Sequence, residues 1–259
     1  MRDVQREKPV NAIDIDRVGI RDLRYPIRVL DRDSGERETI GTFTILVDLP
    51  SKFRGTHMSR FVELLERYRG RITYSEIEPL LCEAKRFFRA NSAYIEVRFP
   101  YFVLRRAPST GAESYLDTEA FFRATMKEDF DFILGVTVPF LLFCPCSQVL
   151  TDGKAAHNQR AYATIQVRYP KSEFVWIEEL IDIAERCGSS TVRPLLKRAD
   201  EKATMEHASK NPAFVEDAAR SIASLLLADS RIIWFSVEVE SLESIHTHNA
   251  YAMLERKKL

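Results

Sequence analysis

The chain has 259 residues, 38 basic against 38 acidic, with 45% hydrophobic and 29% charged content, the balance of a globular protein large enough to bury its own core. Zero formal charge argues against a field that gathers polyanions, so nucleic-acid binding is not expected. No apolar run approaches the roughly 20 residues that span a bilayer, and the charged start, residues 1–7, has no signal-peptide core; the expectation is a cytoplasmic protein without membrane contact, whose four cysteines are thiols or ligands rather than disulfides.

Residues 27–30 and 37–47 predict a hairpin across Asp33-Ser34-Gly35. Phe61, Leu64, Leu65 and Tyr68 recur at helical spacing. Ser75 opens an apparent capping box for a second helix, with Pro79 in its first turn and Ile77, Leu80, Leu81, Ala84 and Phe88 on its apolar side. Alternation over 93–99 predicts a half-buried strand, and 114–125 another. The order then repeats. Strands are expected over 132–143 and 163–167, and Ser172 is read as the cap of a helix carrying Phe174, Ile177, Ile181 and Ala184 that stops at Gly188. Asn211-Pro212 reads as N-cap and first residue of a helix with the stripe Val215, Ala218, Ala219, Ile222, Leu225 and Leu226. Alternation over 233–239 and a strand near 250–254 complete the chain. Each half, 1–128 and 129–259, thus runs strand-strand-helix-helix-strand-strand, an internal duplication. Antiparallel hairpins with helices on one face make an α+β architecture.

Chemistry concentrates in a few places. Cys144-Pro145-Cys146-Ser147 precedes His157-Asn158-Gln159-Arg160, and Ser244-Ile245-His246-Thr247-His248-Asn249 lies near the end. Three of the five histidines fall in these stretches. Imidazole and thiolate are borderline-to-soft ligands that suit zinc or iron. Two thiols separated by one proline do not easily chelate one ion, so the natural division gives one to a metal and leaves the other for substrate. Glu216 edges an apolar helical stripe. Arg193, Lys197 and Arg198 form a basic run beside Asp200 and Glu201, open to phosphate binding or simply to solvent. His57 lies just before a helix start, a place that favours anions.

Together with Phe53-Arg54-Gly55-Thr56-His57-Met58-Ser59-Arg60-Phe61, 196–202, 211–217 and 243–252, these motifs closely resemble the type IB GTP cyclohydrolases. The resemblance implies a bimodular tunnelling fold and a homotetramer with active sites at subunit interfaces. It implies a divalent metal (zinc, manganese or iron) on Cys144, Glu201 and His246, with His157 at the ion or beside it. Cys146 is then the catalytic thiol, with His157 and His248 as further catalytic groups. Glu216 would hold guanine, while His57, His248, Arg193, Lys197 and Arg198 would meet ribose and triphosphate. The implied reaction converts GTP and water to 7,8-dihydroneopterin triphosphate and formate. Two other readings stay open: a tunnelling-fold enzyme acting on a pterin or deazapurine, and a non-catalytic metal or thiol sensor.

Overall fold

A computed structural model describes residues 4–68 and 70–258; Met1, Arg2 and Asp3 of the charged start, with Arg69 and Leu259, lie outside them. In chain order the elements are β1 (Ile15–Asp31), β2 (Gly35–Leu49), α1 (Ser59–Tyr68), α2 (Tyr74–Phe88), β3 (Ala93–Arg106), β4 (Glu113–Met126) and β5 (Phe130–Phe143). There follow α3 (Pro145–Leu150), β6 (Asn158–Arg168), α4 (Ile177–Cys187), β7 (Ser190–Thr191), α5 (Arg198–Lys210), α6 (Val215–Ala228), β8 (Trp234–Ser241) and β9 (Ala250–Lys257). The duplicated order is present, and its second copy carries three additions: α3, β7 and the long helix α5. The chain divides into two compact units, Met1–Pro100 with Phe121–Ile133, and Tyr101–Ala120 with Leu134–Leu259.

In the first unit, β1 and β2 form the expected hairpin, Asp31 opposite Gly35, and β2 pairs antiparallel with β3. The two-residue period of a strand puts Phe43, Ile45 and Val47 opposite Val97, Ile95 and Ala93 on one face, all buried. Their neighbours Thr42, Thr44 and Leu46 share the other face with Arg98, Glu96 and Tyr94. Helices α1 and α2 bury Phe61, Leu64, Leu65, Ile77, Leu80, Leu81 and Ala84, and Phe61 stacks on Phe88 at 4.1 Å. Each large apolar side chain so buried contributes roughly 1.5–3 kcal/mol.

The second unit repeats the arrangement. Strand β6 lies between β5 and β8, and β9 pairs with β8, all antiparallel. One face reads Val136, Val138 and Phe140 on β5, Ala161, Ala163, Ile165 and Val167 on β6, and Phe235, Val237 and Val239 on β8, all buried. Helix α4 packs on α6, and α6 on β8 and β9, covering that face with Leu180, Ile181, Ala184, Ala218, Ile222 and Leu226.

Helix starts differ from the sequence expectation, for one recurring reason. Helix α2 begins after Thr73, not Ser75, because the Thr73 hydroxyl binds the Glu76 carboxylate three residues on. Pro79 therefore sits in the second turn and leaves the Ser75 carbonyl without its helical donor. Helix α4 begins after Trp176, whose N–H donates to Glu179 Oε2 at 2.9 Å. Phe174 lies outside it, edge-on to the Trp176 ring at 4.8 Å. Helix α6 begins after Phe214, whose N–H donates to Asp217 Oδ2 at 3.2 Å. Asn211 instead closes α5, its amide donating to the His207 carbonyl at 2.8 Å. At the starts of α4 and α6 a carboxylate three residues on satisfies an orphan N–H and complements the helix dipole.

Gly188 ends α4 as expected, but space rather than conformation requires it, since its φ is −83°. A Cβ there would meet the Phe140 ring at 2.5 Å. Gly188→Ala should therefore cost about 1–3 kcal/mol by overpacking, read as a lower urea midpoint. An unchanged midpoint would mean that Phe140 yields without penalty.

Candidate active site

The buried face of the second unit's sheet turns polar at one end. Gln159 stands opposite Leu142, and Ser241 opposite Ala161, both polar residues buried in line with the apolar row. Beyond them opens a cavity of about 330 Å³ lined by Leu142, Cys144, His157, Gln159, Glu216, Glu243, His246, His248 and Tyr251, among others. Four structural facts assemble it.

First, Cys144 is the N-cap of α3 and Pro145 occupies the first helical position, where a missing N–H costs nothing. The thiol sulfur accepts the Ser147 N–H at 3.5 Å, and the Cys144 N–H donates to the His157 carbonyl at 3.1 Å. Second, the Ser147 hydroxyl accepts the His157 N–H at 3.3 Å, so the thiol turn and the imidazole segment are tied together. Third, the first turn of α6 brings Val215 and Glu216 to the cavity wall. Fourth, the bend between β8 and β9 supplies His246 and His248, whose rings stack at 5.2 Å with 22° between planes.

The His157 ring is oriented by a chain that the sequence pattern left unassigned. Glu243 Oε1 accepts from the Ser241 hydroxyl at 2.9 Å and from Gln159 Nε2 at 3.2 Å. A carboxylate only accepts, so the Gln159 amide must turn its NH₂ to Glu243 and its oxygen to His157. Gln159 Oε1 then accepts from His157 Nδ1–H at 2.9 Å, and Glu243 Oε2 lies 3.8 Å from the same nitrogen. In the neutral ring this leaves Nε2 as the nitrogen with a lone pair. Gln159 sits two residues after His157, and Glu243 three before His246; only strand register reveals that they meet.

A family model described as Type I GTP cyclohydrolase folE2 matches residues 1–252. The chain belongs to this family. GTP cyclohydrolase FolE2 of Geotalea uraniireducens (strain Rf4) is 48% identical over 258 residues, covering 100% of this chain and 94% of that protein. FolE2 of Geobacter sulfurreducens is also 48% identical, covering 100% of this chain and 99% of its own. Among solved structures, urate oxidase from Bacillus subtilis 168 superposes with a TM-score of 0.54 at 10% identity, covering 93% of this chain and 98% of that one. Uricase from Arthrobacter globiformis gives 0.51 at 10% identity, covering 94% and 93%. At such identity the likeness speaks for the fold alone, which is the α+β bimodular tunnelling fold.

Set against the family motifs, the remaining residues fall into distinct places. Cys146 is exposed on α3, outside the lining of the cavity. Glu201 is exposed in the first turn of α5, also outside it. Its neighbour Asp200 is fully buried and accepts from the N–H groups of Ser109, Thr110 and Lys197 and from the Thr110 hydroxyl, at 2.8–2.9 Å. Burial pushes the Asp200 carboxyl up, but these donors outweigh it and hold it down at about 2. Lys197 and Arg198 are exposed at the start of α5. Arg193 is only 11% exposed and is engaged within the fold, binding Glu185 at 2.5 Å and the Val192 carbonyl at 2.7 Å. The expectation of a phosphate contact there meets a guanidinium already neutralised by its own carboxylate. His57 lines a different pocket, in the first unit. Of the two isolated thiols, Cys187 is pushed up to about 11 by burial, which removes it as a nucleophile.

The donor chemistry of the cavity (thiol, imidazole and carboxylate) fits a divalent ion of the zinc or iron type. Among the described residues no three such side chains lie close enough together to hold one. Among the family-implied ligands, Cys144, His157 and His246 share the cavity and Glu201 does not line it.

The Gln159 contact has a spectroscopic consequence. Nitrogen-15 NMR of the metal-free protein above the imidazole pKa should show His157 as the Nδ1–H tautomer. Gln159→Ala should shift it towards the Nε2–H form that predominates in free imidazole side chains. A wild-type His157 already in the Nε2–H form would contradict the bond assignment.

Proposed function

We propose that the protein opens the guanine imidazole ring of GTP hydrolytically, releases formate and gives 7,8-dihydroneopterin triphosphate, with the cavity at the first turn of α6 as its centre. As a family member it is a GTP cyclohydrolase. The observation that carries the site assignment is the shared lining: Cys144, His157, His246, His248 and Glu216 come from four separate stretches to one cavity of about 330 Å³.

In this reading Glu216 accepts from guanine N1–H and the exocyclic amine, a bidentate charge-assisted pair that adenine cannot supply. Its place in the first turn of α6 leaves the carboxylate at the cavity edge. His157, held through Nδ1 by Gln159, presents Nε2 for ligation or proton transfer. His248, stacked on His246, and the exposed thiol Cys146 serve the later proton transfers of ring opening, sugar rearrangement and reclosure. Lys197 and Arg198 supply cationic contacts to the triphosphate, and His57 a further one. Cys144, His246 and Glu201, with His157 beside them, would hold a divalent ion, zinc, manganese or iron. When bound, such an ion supplies Lewis-acid activation of the hydrolytic water near neutral pH.

The reading includes a homotetramer with active sites at subunit interfaces. Strand β9, which lies at the edge of the second unit's sheet and carries Tyr251 and Met253 at 58% and 50% exposure, fits such an interface. All four cysteines are free thiols, which fits a reducing, cytoplasmic setting. Among the described residues no helix is long and apolar enough to cross a membrane.

The test is to strip the protein with a chelator and assay GTP turnover, as formate and as an oxidised fluorescent pterin, with and without added zinc or manganese. Both products should appear only with metal. Glu216→Ala should lower kcat/KM for GTP by about 10²-fold or more, and Cys146→Ser should lower kcat by about 10²–10⁴-fold. Full turnover in Glu216→Ala would remove the guanine anchor, and the absence of both products with every metal would favour the related-substrate or sensor reading.

A further inference from the structure

In the second unit, one buried carboxylate ties the turn between β3 and β4 to the head of α5. Asp200 is fully buried and engages both of its oxygens. Its Oδ1 accepts the N–H groups of Ser109 and Thr110 at 2.9 and 2.8 Å. Its Oδ2 accepts the Thr110 hydroxyl at 2.8 Å and the Lys197 N–H at 2.9 Å. The Thr110 hydroxyl also accepts the Ala112 N–H at 3.3 Å, so its one proton goes to Asp200. All four partners donate, and only a carboxylate, which solely accepts, can match them. The Ser109 hydroxyl adds a fifth tie by donating to the Ala199 carbonyl at 3.2 Å.

Starting a helix does not require so much. Glu179 and Asp217 hold the same position in α4 and α6, and each takes one N–H at its helix start. Their side chains keep 30% and 49% exposure. Asp200 gives up its water entirely, which is costly for a charge unless its bonds are made, and directs three of them to a turn about 90 residues earlier. The beneficiary is the next residue along. Lys197 is held at its N–H by Asp200 and at its carbonyl by the Glu201 N–H, at 2.9 Å each. The Glu201 backbone can therefore move only with the Asp200 cluster, while its side chain stays exposed.

We propose that Asp200 is a positioning residue for Glu201, locking the head of α5 to the β3–β4 turn so that Glu201 is in place before a divalent ion arrives. This rests on the reading of Glu201 as a metal ligand. A ligand whose backbone is already immobile loses less freedom on binding. Groups that hold a metal ligand in place typically account for about 10–100-fold in metal affinity. Asp200 itself touches neither ion nor substrate in this role and acts only through its neighbour.

The experiment is competition for zinc between the full chain and a chromophoric chelator, for wild type, Asp200→Asn, Glu201→Gln and the double variant. Thr110→Val, at an exposed turn residue, serves as a milder lesion that removes one bond to Oδ2. Asparagine keeps the shape but turns its NH₂ towards an N–H of Lys197, or of Ser109 and Thr110. Asp200→Asn should weaken zinc binding about tenfold or more, and Thr110→Val about two- to threefold. In the Glu201→Gln background either change should cost less than about twofold further, since nothing is left to position. A merely structural loosening would keep its full factor there, and that result overturns the proposal. Zinc affinity within about twofold of wild type in Asp200→Asn also overturns it. Should Asp200→Asn fail to fold, Thr110→Val with and without Glu201→Gln decides by the same comparison. The two levels separate cleanly. Undiminished zinc binding in Glu201→Gln removes the ligand reading and this inference with it, whereas a loss there without one in Asp200→Asn keeps the ligand and removes the positioning.

Discussion

Everything about the candidate site follows from the obligation of one sheet face to be buried. The two-residue period of β5, β6 and β8 sends every second side chain under α4 and α6, and at the end of that row the side chain is Gln159. An amide buried without partners would cost about 1–3 kcal/mol. Its two ends therefore bind Glu243 and His157, and the amide passes the orientation of the carboxylate on to the imidazole. The core thus sets which ring nitrogen faces the cavity. Positioning of this kind is more rigid than a loop could provide, because shifting Gln159 would mean shifting the register of the whole strand.

A second device recurs at the helix starts. Glu179, Asp200 and Asp217 each reach back three residues to take the N–H at the head of α4, α5 and α6. Asp200 also gathers the Ser109 and Thr110 donors of the turn between β3 and β4, so the head of α5 is anchored inside the unit. Successive helix residues are about 100° apart, and with Asp200 facing inward its neighbour Glu201 is left outside. In α6 the first turn brings both Val215 and Glu216 to the cavity wall, Val215 buried and Glu216 exposed. Two adjacent carboxylates, Asp200 and Glu201, thus acquire opposite roles from a single turn of helix.

Much of the scaffold was legible because its signal is local. The strand around Ile45 is announced by its Thr, Ile and Val content, those around Ile95, Ile165 and Val237 by alternation, and α1 by the spacing of Phe61, Leu64 and Leu65. Helix starts were less so. Ser172 and Asn211 carry the right side chains for capping, yet Glu179 and Asp217 offered a charged acceptor further on, and the chain begins its helices there. Helix α5 was hidden for another reason. Its residues are mostly polar and only Asp200 and Ala208 are buried, so no apolar stripe marks it.

The sequence by itself determined the alternation that makes the sheets, the duplicated order of elements, and the residue types from which a thiol, imidazole and carboxylate site can be built, because these depend on residues adjacent or a helical turn apart. Only the tertiary structure decided which of them meet. Cys144, His157, Glu216, His246 and His248 share one cavity, while Arg193 is consumed by Glu185 and His57 joins an arginine-lined pocket in the other unit. Those partnerships join segments tens of residues apart, and they are settled by strand register and by the cost of burying an unmatched charge, neither of which is written in the spacing of any one motif.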